Sequence, residues 1–229
     1  DCCEGLYGAG GVLRGGLVTH SGEVVSEFAN PNPCDTSNEG VGPDKHPGIA
    51  VLADGSFVLT WTRVEAKCPE WQWPWTERMY GRRFSSDGQM IGSVFPISEE
   101  FLMAHSVSIA PLAGGGFAAC WVNQQTEDGP NVLRVQRFDS EGNKVGSEVT
   151  PDSSGYDFRC SIASSSGGEF MVVWTRRDSD CESAVYAQRF GDDGAQQGDF
   201  ARVSFYTLPQ HLTTQVAALA DGGYVVLWG

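Results

Sequence analysis

The sequence predicts an all-β fold: a four-bladed β-propeller of four-stranded antiparallel blades, with the ring closed by N- and C-terminal strands sharing one blade. Three observations predict it. A hairpin pattern recurs four times, a second hairpin pattern follows each of its first three copies, and the two chain ends carry complementary halves of the unit. The whole chain, 1–229, then reads as a single domain with blades at about 46–98, 105–150 and 158–204, and a closing blade made from 12–29 and 213–228.

The first pattern is "IAVLADGSFVLTW" (49–61), "IAPLAGGGFAACW" (109–121), "IASSSGGEFMVVW" (162–174) and "VAALADGGYVVLW" (216–228). Each is a short apolar strand, a Gly-rich turn and a second strand ending in Trp. Phe57, Leu59 and Trp61 alternate with Val58 and Thr60, the period-two signature of a strand. Turns such as "ADGS" and "ADGG" supply glycine where a hairpin needs positive φ. The recurring Trp61, Trp121, Trp174 and Trp228 read as wedges between blades, where large apolar area is needed.

The second pattern is "MYGRRFSSDGQMIGSVFPIS" (79–98), "LRVQRFDSEGNKVGSEVTPD" (133–152) and "VYAQRFGDDGAQQGDFARVS" (185–204). These are third and fourth strands. A degenerate copy at 13–32 has no first hairpin before it, and the last "VAALADGGYVVLW" has no second hairpin after it. From strand-two Trp to the later turn Gly the blades count 27, 21 and 20 residues, and joining the chain ends gives 23. Ring closure of this kind hides sheet edges.

Composition narrows the class. With 29 glycines, 41% hydrophobic and 19% charged residues, the chain suits many short strands and is too apolar for disorder. A net charge of −14 argues against nucleic acid, which needs clustered Lys and Arg. No apolar run approaches a membrane span, and no signal peptide precedes Asp1, so the chain reads as a processed or excised domain without membrane insertion. Seven cysteines in an acidic chain favour an oxidising, extracellular or cell-surface setting. Their odd number leaves at least one thiol free or bonded to another chain. Cys120, in the apolar "FAACW", reads as a buried free thiol; Cys2, Cys3, Cys34, Cys68 and Cys181 read as bridge partners with open connectivity.

The pattern "ALADGGYVVLW" followed by "VYAQRFGDDGAQQGDF" resembles a repeat of roughly fifty residues found in large secreted or surface-exposed bacterial and protist proteins. A four-blade closure is hemopexin-like in blade number only. The resemblance implies an extracellular adhesive, lectin-like or assembly role and carries no catalytic residues.

Candidate binding residues lie where one blade departs from the repeat. Trp71, Trp73 and Trp75, flanked by Glu70, Glu77 and Arg78, sit in a connection about six residues longer than its counterparts. Period-two spacing puts the three rings on one side of an extended stretch, and Pro74 bars a central strand. Such rings suit a plug over the propeller end, a protein hot spot or stacking on sugars. Lys45, His46, His105, Arg159 and His211 precede first strands and read as a polar rim at the axial channel, with an anion or metal site as the functional alternative. Asp87-Gly88 and Asp193-Gly194 faintly resemble calcium loops but lack the ligand spacing, so hairpin turns explain them and no cofactor is expected. Arg83, Arg137 and Arg189, each before a strand-three Phe, are expected to pair with nearby acids.

No catalytic motif of the serine-hydrolase, zincin, P-loop or dinucleotide type is present. The expectation is a non-catalytic extracellular interaction module, not an enzyme, whose loops contact other protein chains, copies of itself or glycans. The alternatives are a lectin-like propeller using the Trp71/Trp73/Trp75 loop and a glycosidase-type enzyme relying on two carboxylates.

Overall fold

The computed structural model describes residues 14–29, 41–65, 76–99, 103–124, 126, 129–153, 157–179, 182–205 and 213–229. All regular structure in these residues is β, and no helix is long and apolar enough to cross a membrane. Three complete four-stranded antiparallel sheets run through the chain. Blade one is β3 (Val41–Val51), β4 (Phe57–Glu65), β5 (Thr76–Phe84) and β6 (Met90–Pro96). Blade two is β7 (Met103–Pro111), β8 (Phe117–Gln124), β9 (Asn131–Phe138) and β10 (Lys144–Val149). Blade three is β11 (Asp157–Ser164), β12 (Phe170–Ser179), β13 (Glu182–Phe190) and the short β14 (Ala201–Arg202). Two half-blades flank them: β1 (Arg14–Val18) with β2 (Val24–Ala29), and β15 (Thr214–Ala218) with β16 (Tyr224–Trp228).

One turn joins strand one to strand two, and strand three to strand four, throughout the described residues. Leu52 N–H donates to Ser56 O, and Gly55 N–H to Leu52 O, with Gly55 at φ 81°. The same two bonds recur around Gly22, Gly88, Gly115, Gly142, Gly168, Gly194 and Gly222. This is a three-residue hairpin whose last position needs the left-handed conformation, which glycine adopts without a Cβ clash. The Asp-Gly turns are thereby accounted for. Asp87 accepts a hydrogen bond from Ser85, and Asp193 accepts one from Ala195 N–H at 2.8 Å, so these carboxylates cap their own turns.

Strand two is buried on both faces because the blades stack face to face. Its even and odd positions serve different seams. Val58 packs with Ile109, Phe117, Ala119 and Trp121 between blades one and two. Ala118, Cys120 and Val122 pack with Phe170, Val172 and Trp174 between blades two and three. Trp61, Trp121 and Trp174 are at most 2% exposed, and Trp121 and Trp174 fill inter-blade seams as the repeat predicts. Within each sheet the strand-two Phe stacks on the strand-three Phe: Phe57 on Phe84 at 5.3 Å, Phe117 on Phe138 at 4.9 Å and Phe170 on Phe190 at 4.8 Å. Each pair adds roughly 0.5–1.5 kcal/mol beyond its buried area. The recurring arginines also cross seams: Arg83 pairs with Asp54 and lies 3.8 Å from Glu141 of the next blade, and Arg137 donates to the Asp193 carbonyl.

Two sequence expectations need correction. The strand before the first turn starts at Val41, well before residue 49, in spite of Pro43 and Pro47. β3 pairs only with β4, so a missing N–H on its outer side breaks no ladder, and the register shifts between Lys45 and Gly48 where Pro47 lies. The second correction concerns closure. β1–β2 and β15–β16 form separate two-stranded sheets, and no pairing joins β16 to β1 among the described residues. Leu17 of β1 packs on Phe57, Leu59 and Phe84 of blade one, while β15 packs on β11 and β12 of blade three. The half-blades thus pack against different complete blades, β1 on blade one and β15 on blade three.

Candidate functional site

Where strand two ends and strand three begins, the Trp ladder gives way to charge. Two residues beyond the Trp stands Arg63 in blade one, Asn123 in blade two and Arg176 in blade three. Opposite the Trp in strand three stand Tyr80, Arg134 and Tyr186. Blades one and three therefore share an Arg-over-Tyr arrangement. The Arg63 guanidinium lies 5.4 Å from the Tyr80 ring, and that of Arg176 lies 3.9 Å from the Tyr186 ring.

In blade three this arrangement becomes a network. Arg176 Nη1 donates to Asp152 Oδ2 at 3.0 Å, its Nε donates to Asp178 Oδ1 at 2.9 Å, and its Nη2 reaches the Tyr186 hydroxyl at 2.5 Å. The Tyr186 hydroxyl donates to Asp178, 2.9 Å from Oδ2. Arg202 adds a longer ion pair to Asp178 at 3.9 Å. Phe200 closes the side, edge-on to both Trp174 and Tyr186. Asp152 comes from the end of blade two and also accepts the Trp174 indole N–H at 3.4 Å, so it ties the network across the seam. Burial raises the Tyr186 hydroxyl above its ordinary value, and its bond to Asp178 raises it further. Burial opposes the Arg176 charge, but the bonds to Asp152 and Asp178 outweigh it and raise its pKa. The network thus holds a neutral phenol and a permanent cation around the carboxylate of Asp178.

The corresponding edge of blade one holds a smaller pair, Lys45 Nζ to Glu77 Oε1 at 3.0 Å, with Glu77 buried. Lys45 is therefore paired with a carboxylate of strand three in its own blade. His46 has φ 50° beside the β3 register shift, and β7 shifts register at His105. Such bulges at the start of an inner strand re-aim side chains. Arg159 is exposed on β11, Arg78 lies half-buried on β5, and Trp71, Trp73, Trp75, Glu70 and His211 fall outside the described residues. Among the described residues, no three or more His, Cys, Asp or Glu converge as a metal site. At the opposite, hairpin-turn end a cavity of about 390 Å³ opens between blades two and three, lined by Leu112, Arg137, Phe138, Asp139, Gly168 and Asp192.

Sequence reasoning passed over Asp152, Arg176, Asp178 and Tyr186. A signal was present: aligned on the Trp, "WTRVE" and "WTRRD" share an arginine that "WVNQQ" lacks.

No protein-family model matches the sequence, and no curated relative does. Solved structures match at the level of fold. An α-L-arabinofuranosidase from Fusarium graminearum, in complex with an iminosugar inhibitor, superposes with a TM-score of 0.55 at 12% identity, over 81% of this chain and 56% of that one. The same enzyme is also known in complex with arabinobiose. A protein of unknown function from Dyadobacter fermentans gives 0.61 at 13% identity, over 91% and 60%. An endo-arabinase from Bacteroides thetaiotaomicron gives 0.52 at 15%, over 80% and 69%. The chain spans a little over half the length of the first of these. The expected non-catalytic module, not an enzyme, is not upheld by these matches, whose named enzymes are an arabinofuranosidase and an endo-arabinase. What the comparisons establish for this chain is its architecture: an all-β fold of stacked blades like that of the β-propeller glycosidases.

Proposed function

We propose that the chain is part of a carbohydrate-active propeller of the glycoside-hydrolase type, with Asp178 as its reacting carboxylate. The observation that carries this reading is the part-exposed carboxylate of Asp178, held by the Arg176 guanidinium and the Tyr186 hydroxyl, with a second carboxylate, Asp152, on the same guanidinium. The two acids differ in environment. Asp152 is 4% exposed and held by Trp174 and Arg176, which makes it a positioning residue. The Asp178 side chain is 24% exposed, oriented by Arg176 and Tyr186, and open to a ligand. An ionised carboxylate so held can attack an anomeric carbon or take a proton from water. Arg202 supplies donors for sugar hydroxyls, and Phe200 supplies an apolar wall. The Trp71/Trp73/Trp75 stretch, which joins β4 to β5 in the sequence, is our candidate for added sugar-stacking surface. The resemblance to repeats of secreted proteins supports an extracellular setting.

The test is hydrolysis of nitrophenyl arabinofuranoside and arabino-oligosaccharides, with arabinobiose binding followed by calorimetry. Asp178→Asn should lower kcat/KM by about 100-fold or more while circular dichroism stays unchanged. Absence of both turnover and binding in the wild-type chain would overturn the reading.

We further propose that the half-blades are the two halves of one sheet, as the four-blade expectation requires. In each complete blade the strand-two Phe faces the strand-three Phe, and the Trp faces the residue four positions earlier. The same register sets Tyr224 opposite Val18 and Trp228 opposite Arg14. Hydrogen exchange reads this directly. Closure slows the amides of β16 to the rate of β8, and rapid exchange throughout β16 rules it out.

A further inference from the structure

We infer that Cys120 and Cys160 form a disulfide that joins blades two and three through their shared core. Sequence analysis alone assigns Cys120 to a solitary buried thiol; the fold gives it a partner. The two sulfurs lie 2.7 Å apart, a short approach from the bonded distance of about 2.0 Å. Cys120 is fully buried on β8 and Cys160 is 5% exposed on β11, both in the core cluster of that seam.

The backbone around them is clamped. The Ser106 hydroxyl donates to the Cys160 carbonyl at 3.1 Å and accepts the Cys160 N–H at 3.2 Å. One step along, the Ser108 hydroxyl accepts the Ile162 N–H at 3.4 Å. Ser108 is also the register partner of Cys120. The serines of β7 therefore hold β11 from one side and β8 from the other, and the cysteine side chains converge between them. A polar pair here would otherwise sit among Val122, Val135, Val172 and Phe170. Burial pushes the Cys120 thiol well up, and the contact with Cys160 adds to this. Thiolate, the reactive form, is thus scarce once the seam has closed.

Bond formation belongs to folding, while the seam is still open to solvent. A low-molecular-weight disulfide is the oxidant. The thiolate of one cysteine attacks it, forming a mixed disulfide and releasing one small thiol. The thiolate of the other then displaces the second small thiol. Two cysteine thiols become one disulfide, the external disulfide becomes two thiols, and the two cysteine protons pass to the leaving thiolates. Closure of the seam then shields the bond from reductant.

Peptide mapping tests this on the unaltered chain. Protein folded in a mixture of oxidised and reduced small thiol is denatured in alkylating agent, digested without reduction and analysed by mass spectrometry. The expected result is one linked pair of peptides carrying residues 120 and 160, two hydrogens lighter than the sum of the free peptides. Recovery of both peptides singly alkylated, or linked elsewhere, overturns the inference. As a second readout, Cys160→Ser folded in the same oxidising mixture should raise the unfolding equilibrium constant by roughly two to three orders of magnitude, from loop closure over 40 residues. A Cys160→Ser chain as stable as the wild type would count against the bond.

Discussion

Replacing Trp174 by alanine should lower the unfolding free energy by about 3–5 kcal/mol, read from the shift of a urea transition at unchanged slope. Trp174 is fully buried in the seam between blades two and three. Its ring lies 5.5 Å from Phe200 and 6.0 Å from Tyr186, and its indole N–H is bound by Asp152. Truncation opens a cavity that two stacked sheets cannot collapse into, because each is held by its own ladder. It also removes one donor from a buried carboxylate that Arg176 holds as well. Trp228 supplies the contrast: it is the same repeat residue but only half-buried. Trp228→Ala should cost much less in the open arrangement. Equal losses at the two positions would show that Trp228 is packed in a completed blade.

The second large effect concerns a turn glycine. Gly142→Ala should cost between about 2 and 5 kcal/mol, the combined range for a left-handed non-glycine residue and for overpacking. Gly142 has φ 89°, and a Cβ there would meet the Phe95 ring of blade one at 2.6 Å. Phe95 is in turn pressed against Phe117 and the core of the first seam, so it has little room to yield. Gly115 is the control. Its φ is 93°, but nothing lies within 4 Å of an added Cβ. Gly115→Ala should therefore carry the backbone penalty alone, about 1–3 kcal/mol. Thermal or urea melts of the two variants separate the conformational part from the inter-blade contact. Equal losses would mean that the turn of blade two does not bear on blade one.

The stability pattern also explains why the arginine network can face solvent. The seams are closed by apolar side chains from strand two, so the strand ends are free to carry charge. Asp152 is the exception, since its carboxylate bridges two blades while serving Arg176. A surface ion pair is worth little, but a carboxylate at 4% exposure with two donors is held in one place. That fixity is what a reacting group beside it requires.

By itself the sequence determined the strands, the hairpin turns and the Trp wedges, because each depends on residues a few positions apart. Period-two alternation sets a strand face, and a glycine at the last turn position selects one hairpin. It could also mark the odd blade, where the Trp71–Trp75 connection breaks the repeat. The tertiary structure decided everything that relates one repeat to the next. Cys120 meets Cys160, Asp152 meets Arg176 and Gly142 meets Phe95 because consecutive sheets stack with a particular offset. Whether the hairpins at the two chain ends meet depends on how whole side chains fill every seam between them, and no local pattern along the chain encodes that.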